Sequence, residues 1–154
     1  MHSSITLIPF TREAYEHMHR EVARLQHELD EVKVRLQTAR EMGDLSENGA
    51  YHAAKFELGS ITRELRRLRG LLKQGKITER APGDGIGFGS TVTLKRDNRE
   101  TSYLLVSMHE SDPKEHKLSM ESPLGKAVLG KHVGEVVEVQ TPGGKAEYSI
   151  TAIK

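Results

Sequence analysis

EMGDLSENGAY, residues 41–51, sets two glycines and an asparagine, Gly43, Asn48 and Gly49, between two long runs of helical periodicity. Upstream, Tyr15, Met18, Val22, Leu25, Leu29, Val32, Leu36 and Ala39 alternate in steps of three and four, a heptad seam with charge on its other faces. Downstream, Tyr51, Ala54, Leu58, Ile61, Leu65, Leu68 and Leu72 repeat the pattern. Each stripe is too narrow for a globular core and suits a partner helix. A single long helix that dimerises would need residues 43–49 to be helical, and their glycines favour a turn. The seams therefore predict an antiparallel hairpin within one chain, a monomer. Thr11 is placed to cap the first helix, with Glu13 near the positive end of its dipole. At ~1.5 Å per residue, the helical arm from residue 12 to 42 is about 45 Å long, with the quoted stretch at its far end.

The rest of the 154-residue chain has another rhythm. Residues 76–89 are rich in glycine and read as a linker. The run GDGIGFG within them is no dinucleotide loop, since such loops follow a strand and open a helix. From Ser90 the period becomes two, giving strands at Thr91–Lys95, Thr101–Met108, Val136–Gln140 and Glu147–Ile153. TPGG, residues 141–144, joins the last two as a hairpin. In SPLGKAVLG, Ser122 is an N-cap, Pro123 opens a short helix and Gly130 stops it. The fold class is α+β. A coiled-coil hairpin domain over 1–75, with its acidic tip at 43–49, precedes a small antiparallel sheet domain with one helix over 90–154.

Composition narrows the function. With 23 basic and 22 acidic residues, net charge gives no reason to expect bulk nucleic-acid binding. The absence of cysteine excludes disulfides, thiolate metal sites and cysteine nucleophiles. No apolar run approaches the roughly 18 residues of a membrane span, and the start, MHSSITLIPF, lacks the basic region of a signal peptide. The expected setting is cytoplasmic, without a membrane partner. His17, His19 and His27 are expected to hold no metal, for want of carboxylates at ligand spacing on their face.

Two readings of Asp44 and Glu47 stand at this point. Asp at an N-cap with Glu three residues later is a capping box for the second helix. Alternatively, the two carboxylates share a cation. Magnesium usually takes one or two carboxylates together with substrate phosphates, so its remaining ligands would come from another molecule.

The tip and its flank, AREMGDLSENGAYHAAKFE (residues 39–57), resemble the Gre transcript-cleavage factors of bacterial RNA polymerase. SPLGKAVLGKHVGEVVEVQTPGG (122–144) resembles their FKBP-like second domain, and YHAA with Leu45 is closer to the GreA branch than to GreB. The resemblance implies that the coiled coil enters the polymerase's secondary channel. There Asp44 and Glu47 would help hold a second magnesium ion, shared with the polymerase only in the complex and not bound tightly by the free protein. The polymerase itself would cleave the backtracked RNA, so the chain would be no enzyme on its own.

Leu45, Ser46, Asn48 and Tyr51 would support the tip. Between residues 55 and 80, eight Lys or Arg outnumber three Glu, and the family carries a basic patch on its coiled coil. Lys55, Arg63, Arg66, Arg67 and Arg69 are the candidates for RNA contact. Ser122, Pro123 and Leu124 start a helix, and in the family this region meets the polymerase. A paralogue that occupies the channel without inducing cleavage is the main alternative, against which the intact D-x-x-E at the tip argues. A prolyl isomerase would need an aromatic-lined pocket, and only Phe88, Tyr103 and Tyr148 follow residue 83. A plain coiled-coil adaptor would have no use for the tip acids.

Overall fold

The computed structural model describes residues 7–44, 47–80 and 83–154. They form two compact units, one of Tyr15–Gly75 and one of Leu7–Ala14 with Lys76–Lys154. No helix among the described residues is long and apolar enough to cross a membrane.

The first unit is a pair of helices, α1 (Arg12–Arg40, its first turn belonging to the second unit) and α2 (Gly49–Gln74). From α1, Met18, Leu25, Leu29, Val32, Leu36 and Ala39 are buried, as their heptad spacing predicts. Their partners are Ala54, Ile61, Leu65, Leu68 and Leu71. Leu71 takes the buried place expected of Leu72, because a helix of 3.6 residues per turn drifts off a strict 3.5-residue seam. Leu72 remains half-buried, and its carbonyl accepts a hydrogen bond from the Tyr15 hydroxyl at 3.3 Å. Arg69 donates to Gln26 at 2.7 Å, and Arg35 forms a fork of two 2.8 Å bonds with Glu57. Early residues of α1 thus meet late residues of α2, as an antiparallel pair requires. His27 does share its face with a carboxylate, Glu31 at 3.5 Å, contrary to the sequence expectation. Among the described residues, however, no three His, Asp or Glu side chains gather where they could hold a metal.

In the second unit, β1 (Ile8–Phe10) pairs with β2 (Gly75–Ile77). A five-stranded sheet follows, built from β3 (Thr91–Arg96), β4 (Arg99–Val106), β5 (Lys117–Ser119), β6 (Val136–Thr141) and β7 (Gly144–Ile153) in the order β5-β4-β3-β7-β6. The sheet is antiparallel except where β5 runs parallel to β4. Thr141 pairs with Gly144, closing the expected hairpin. Helix α3 (Pro123–Val128) packs Val128 onto a core of Val92, Leu94, Leu105, Val137 and Ile150.

The stretch 76–89, read as a linker, is largely part of this unit. Lys76 and Ile77 belong to β2, and Ile86 is 3% exposed in the core. The Ile86 backbone binds both sides of the α3 exit: its carbonyl accepts from Gly130 N–H at 2.8 Å and its N–H donates to Lys131 O at 3.0 Å. Gly83 and Gly89 hold φ values of +141° and +79°, and a Cβ on Gly89 would come within 3.1 Å of the Arg80 backbone, so glycines that resemble a linker in composition are structural. Ala81 and Pro82 lie outside the described residues. Thr11 caps α1 through its hydroxyl, which accepts from Ala14 N–H at 3.2 Å. The carboxylate of Glu110 in turn accepts from the Thr11 N–H at 3.1 Å and from its hydroxyl. An anion at this helix start is favoured by the dipole.

Candidate functional site

At the far end of the hairpin the Asn48 side chain bonds to both helices. Helix α1 winds down through Glu41, whose N–H is shared between the carbonyls of Gln37 and Thr38, and Met42, whose N–H reaches Ala39 O at 3.2 Å. Gly43 follows at φ +111°, a conformation side chains resist. Asn48 is the N-cap of α2: its side-chain oxygen accepts from the Tyr51 N–H at 3.1 Å. Its amide nitrogen donates to the Ala39 carbonyl at 2.7 Å. One asparagine therefore satisfies an orphan donor of α2 and gives the Ala39 carbonyl of α1, which also accepts from Met42, a second hydrogen bond.

This overturns the capping-box reading. Asp44 and Glu47 both precede α2, and Asn48 supplies the cap that Asp44 was expected to supply. Both acids are exposed, in the short segment that the bond between Ala39 and Asn48 closes into a loop. Leu45 and Ser46, two of the predicted tip residues, lie outside the described residues. Tyr51 is half-buried on the seam, as its position predicts. Its ring has the Arg40 guanidinium 5.9 Å from its centroid and the Lys55 ammonium at 6.0 Å, with His52 edge-on at 5.5 Å. Arg40 was not foreseen as a tip cation. Its last-turn position was the available signal, since cations favour helix C-termini.

The four arginines farther along α2 do not share one face. At ~100° per residue, Lys55, Arg66, Arg69 and Lys73 fall on one flank of the seam, whereas Arg63 and Arg67 point to the back of the helix. Arg67 is also engaged by Glu64 at 2.6 Å, which holds the Glu64 carboxyl below its usual range. Arg66 and Arg69 border a shallow groove with Leu29, Thr62 and Leu65. On the opposite flank lies an apolar groove of about 350 Å³, floored by Ala39, Ala50, Ala53 and Ala54 and edged by Val34 and Met42. The hairpin thus has a basic side and an apolar side behind an acidic end.

In the second unit, the Ser122 hydroxyl accepts from Gly125 N–H at 3.0 Å and donates to Ser119 O at 2.7 Å, so this serine is structural. Leu124 packs against the core, and Pro123 is exposed. Gly125 was not singled out from sequence. A Cβ there would lie 1.9 Å from Ser119 O, so only glycine lets α3 sit this close to β5.

The family model described as "Transcription elongation factor, N-terminal" matches residues 8–77, and "Transcription elongation factor, GreA/GreB, C-term" matches residues 81–154. The chain belongs to the GreA/GreB family. It is 37% identical over 150 residues to transcription elongation factor GreA of Thermosipho africanus, covering 96% of each chain. It is 38% identical over 154 residues to GreA of Neorickettsia sennetsu, again with 96% of each covered. Among solved structures, it is similar to GreA factor homolog 1 (Gfh1) of Thermus thermophilus, with 32% identity, 96% of this chain and 99% of that one covered, and a TM-score of 0.46.

Proposed function

We propose that the hairpin carries Asp44 and Glu47 into the active centre of bacterial RNA polymerase, through its secondary channel, and so promotes cleavage of backtracked RNA. The observation that carries this reading is the division of labour at the tip. Asn48 does the capping, so α2 does not need Asp44 for its N-cap. Two exposed carboxylates fit a magnesium site whose other ligands are phosphates and polymerase groups, as the ion's preference for partial protein coordination requires. When bound, the ion would lower the pKa of the attacking water and offset charge on the phosphate. Asp44 and Glu47 would supply ligand oxygens and orient that water, and Asn48 would hold the loop that presents them. The chain alone would not be a catalyst, and the free protein, a monomer, would bind magnesium weakly.

Lys55, Arg66, Arg69 and Lys73 would face the extruded RNA, a contact that attracts phosphate without reading sequence. Pro123 and its neighbours Ser122 and Leu124 would touch the polymerase outside the channel. The deciding assay measures RNA cleavage by stalled, backtracked polymerase with wild type, Asp44→Asn and Glu47→Gln. Both variants should lose stimulation and still compete with wild type for polymerase. Wild-type cleavage by either would overturn the proposal.

A further inference from the structure

The sheet carries a second candidate site, independent of the hairpin. β3 and β4 join through Asp97 and Asn98, both left-handed at φ +51° and +62°, which makes a tight two-residue turn. The register sets Arg96 directly opposite Arg99, Leu94 opposite Thr101 and Val92 opposite Tyr103. These pairs share the face that carries the core, and Lys95 and Glu100 point the other way. Helix α3 covers the inner part of that face. The outer part is an open cleft of about 460 Å³ between the arginine pair, Thr101, Tyr103 and Tyr148 of β7.

Two like charges directly opposite on one sheet face repel each other. The protein offsets only part of this. Arg96 donates to the Tyr148 hydroxyl at 3.4 Å, stands 5.6 Å from the centre of that ring, and has the Asp97 carboxylate 3.6 Å from its Nε. The Arg99 side chain has no hydrogen-bond or ion-pair partner among the described residues. The Asp97 carboxylate also lines the cleft, so two guanidinium groups against one carboxylate leave it a net positive charge. Arg96 and the Tyr148 ring together line one side of the cleft, and Tyr103 adds a half-buried ring deeper in. Aromatic rings beside two guanidinium groups suit a ligand with a flat ring and a phosphate. An acidic peptide would use the charges and leave the rings idle.

We propose that this cleft is a nucleotide-binding site, in which Arg99 takes the phosphate and the base stacks against Arg96 and Tyr148. The nucleotide is either free or the end of a single-stranded RNA. The test is a titration of isotope-labelled full-length protein, followed by amide NMR, with adenosine monophosphate, a short oligoadenylate, inorganic phosphate and an oligoglutamate. Adenosine monophosphate should shift the amides around Arg96–Thr101, Tyr103 and Tyr148. Arg99→Gln should weaken it by about tenfold, the loss of one charge-assisted contact. Tyr148→Ala should weaken adenosine monophosphate and leave inorganic phosphate unchanged, which a purely electrostatic site would not do. Binding of the oligoadenylate alone would identify RNA as the source. The proposal is overturned if phosphate or oligoglutamate perturbs these amides as strongly as the nucleotide. It also fails if nothing does at about 10 mM, a concentration that saturates a site held by a few charge-assisted bonds.

Discussion

Asn48 and Gly125 each do work that no neighbouring residue type could do. Asn48 is acceptor to α2 and donor to α1 at once, which the hydroxyl of a serine could match only if it reached Ala39 O. Asn48→Ala removes both bonds and should cost about 1–2 kcal/mol. Asn48→Asp keeps the acceptor and loses the donor, but adds a charge that the dipole of α2 favours, so urea unfolding reads the bond to Ala39 against that gain. A variant more stable than wild type would mean that the bond between the helix ends contributes less than the charge. At Gly125, helix propensity alone would favour alanine by about 1 kcal/mol. The approach of Ser119 O to 1.9 Å of a built Cβ opposes it, and overpacking against backbone costs about 1–3 kcal/mol. Gly125→Ala should therefore destabilise in thermal melting, and a raised melting temperature would show that α3 can lift from β5 freely. The sequence points to both residues only weakly. The spacing of Asp44 and Glu47 matches a capping box as well as Asn48 matches a cap, and local pattern cannot choose between them. Gly125 sits in a helix start whose other signals, Ser122 and Pro123, are complete without it.

Helices α1 and α2 were legible because each spans many turns, and a seam repeated that often leaves little ambiguity. The three-residue strands β1, β2 and β5 were not, since three residues show no alternation. On the helix pair, charge now has an address. If the RNA-facing flank is that of Arg66 and Arg69, reversing these two to Glu should weaken affinity for complexes with long extruded RNA. It should also flatten the salt dependence by about one unit of slope or more. The same change at Arg63 and Arg67, on the back of the helix, should do much less. Equal effects from both pairs, in a titration at two salt concentrations, would make the attraction a matter of net charge only. The ion pair across the helices gives a pH prediction. The hydrogen bonds from Arg35 hold the Glu57 carboxyl below its ordinary value. A carboxylate whose folded pKa is depressed stabilises the fold fully above its unfolded value, and that contribution fades as pH falls through the folded one. Glu57→Gln should thus make hairpin melting less sensitive to acidification between about pH 6 and pH 3, the range in which carboxylates titrate. An unchanged acid limb, followed by helical circular dichroism, would show that the exposed pair is screened to irrelevance.

At the scale of the molecule, the hairpin is an insertion. The chain begins its described part in the second unit with Leu7–Ala14, leaves through α1, and returns at Lys76. The departing and returning strands β1 and β2 are paired, and Phe10 O accepts from Thr78 N–H at 2.9 Å. Phe10 itself is 1% exposed, beside the His109 ring. Residues 7–11, just before the first helix, are thus part of the second unit's structure. Two outcomes follow from this arrangement. Shortening the hairpin by joining Gln26 to Arg69, which already meet across the pair, through a brief glycine-rich turn should leave the second unit folded. Its amide NMR spectrum should keep the dispersion of residues 90–154, while every activity that depends on Asp44 and Glu47 disappears. Truncating Phe10 to alanine, with the hairpin intact, should do the reverse: the tip survives, and the second unit loses about 3–5 kcal/mol, the usual cost of emptying a buried phenylalanine site. If the shortened chain unfolds as a whole, or if Phe10→Ala leaves the second unit's stability unchanged, then the strand that precedes α1 does not belong to the sheet unit in the energetic sense that its burial implies.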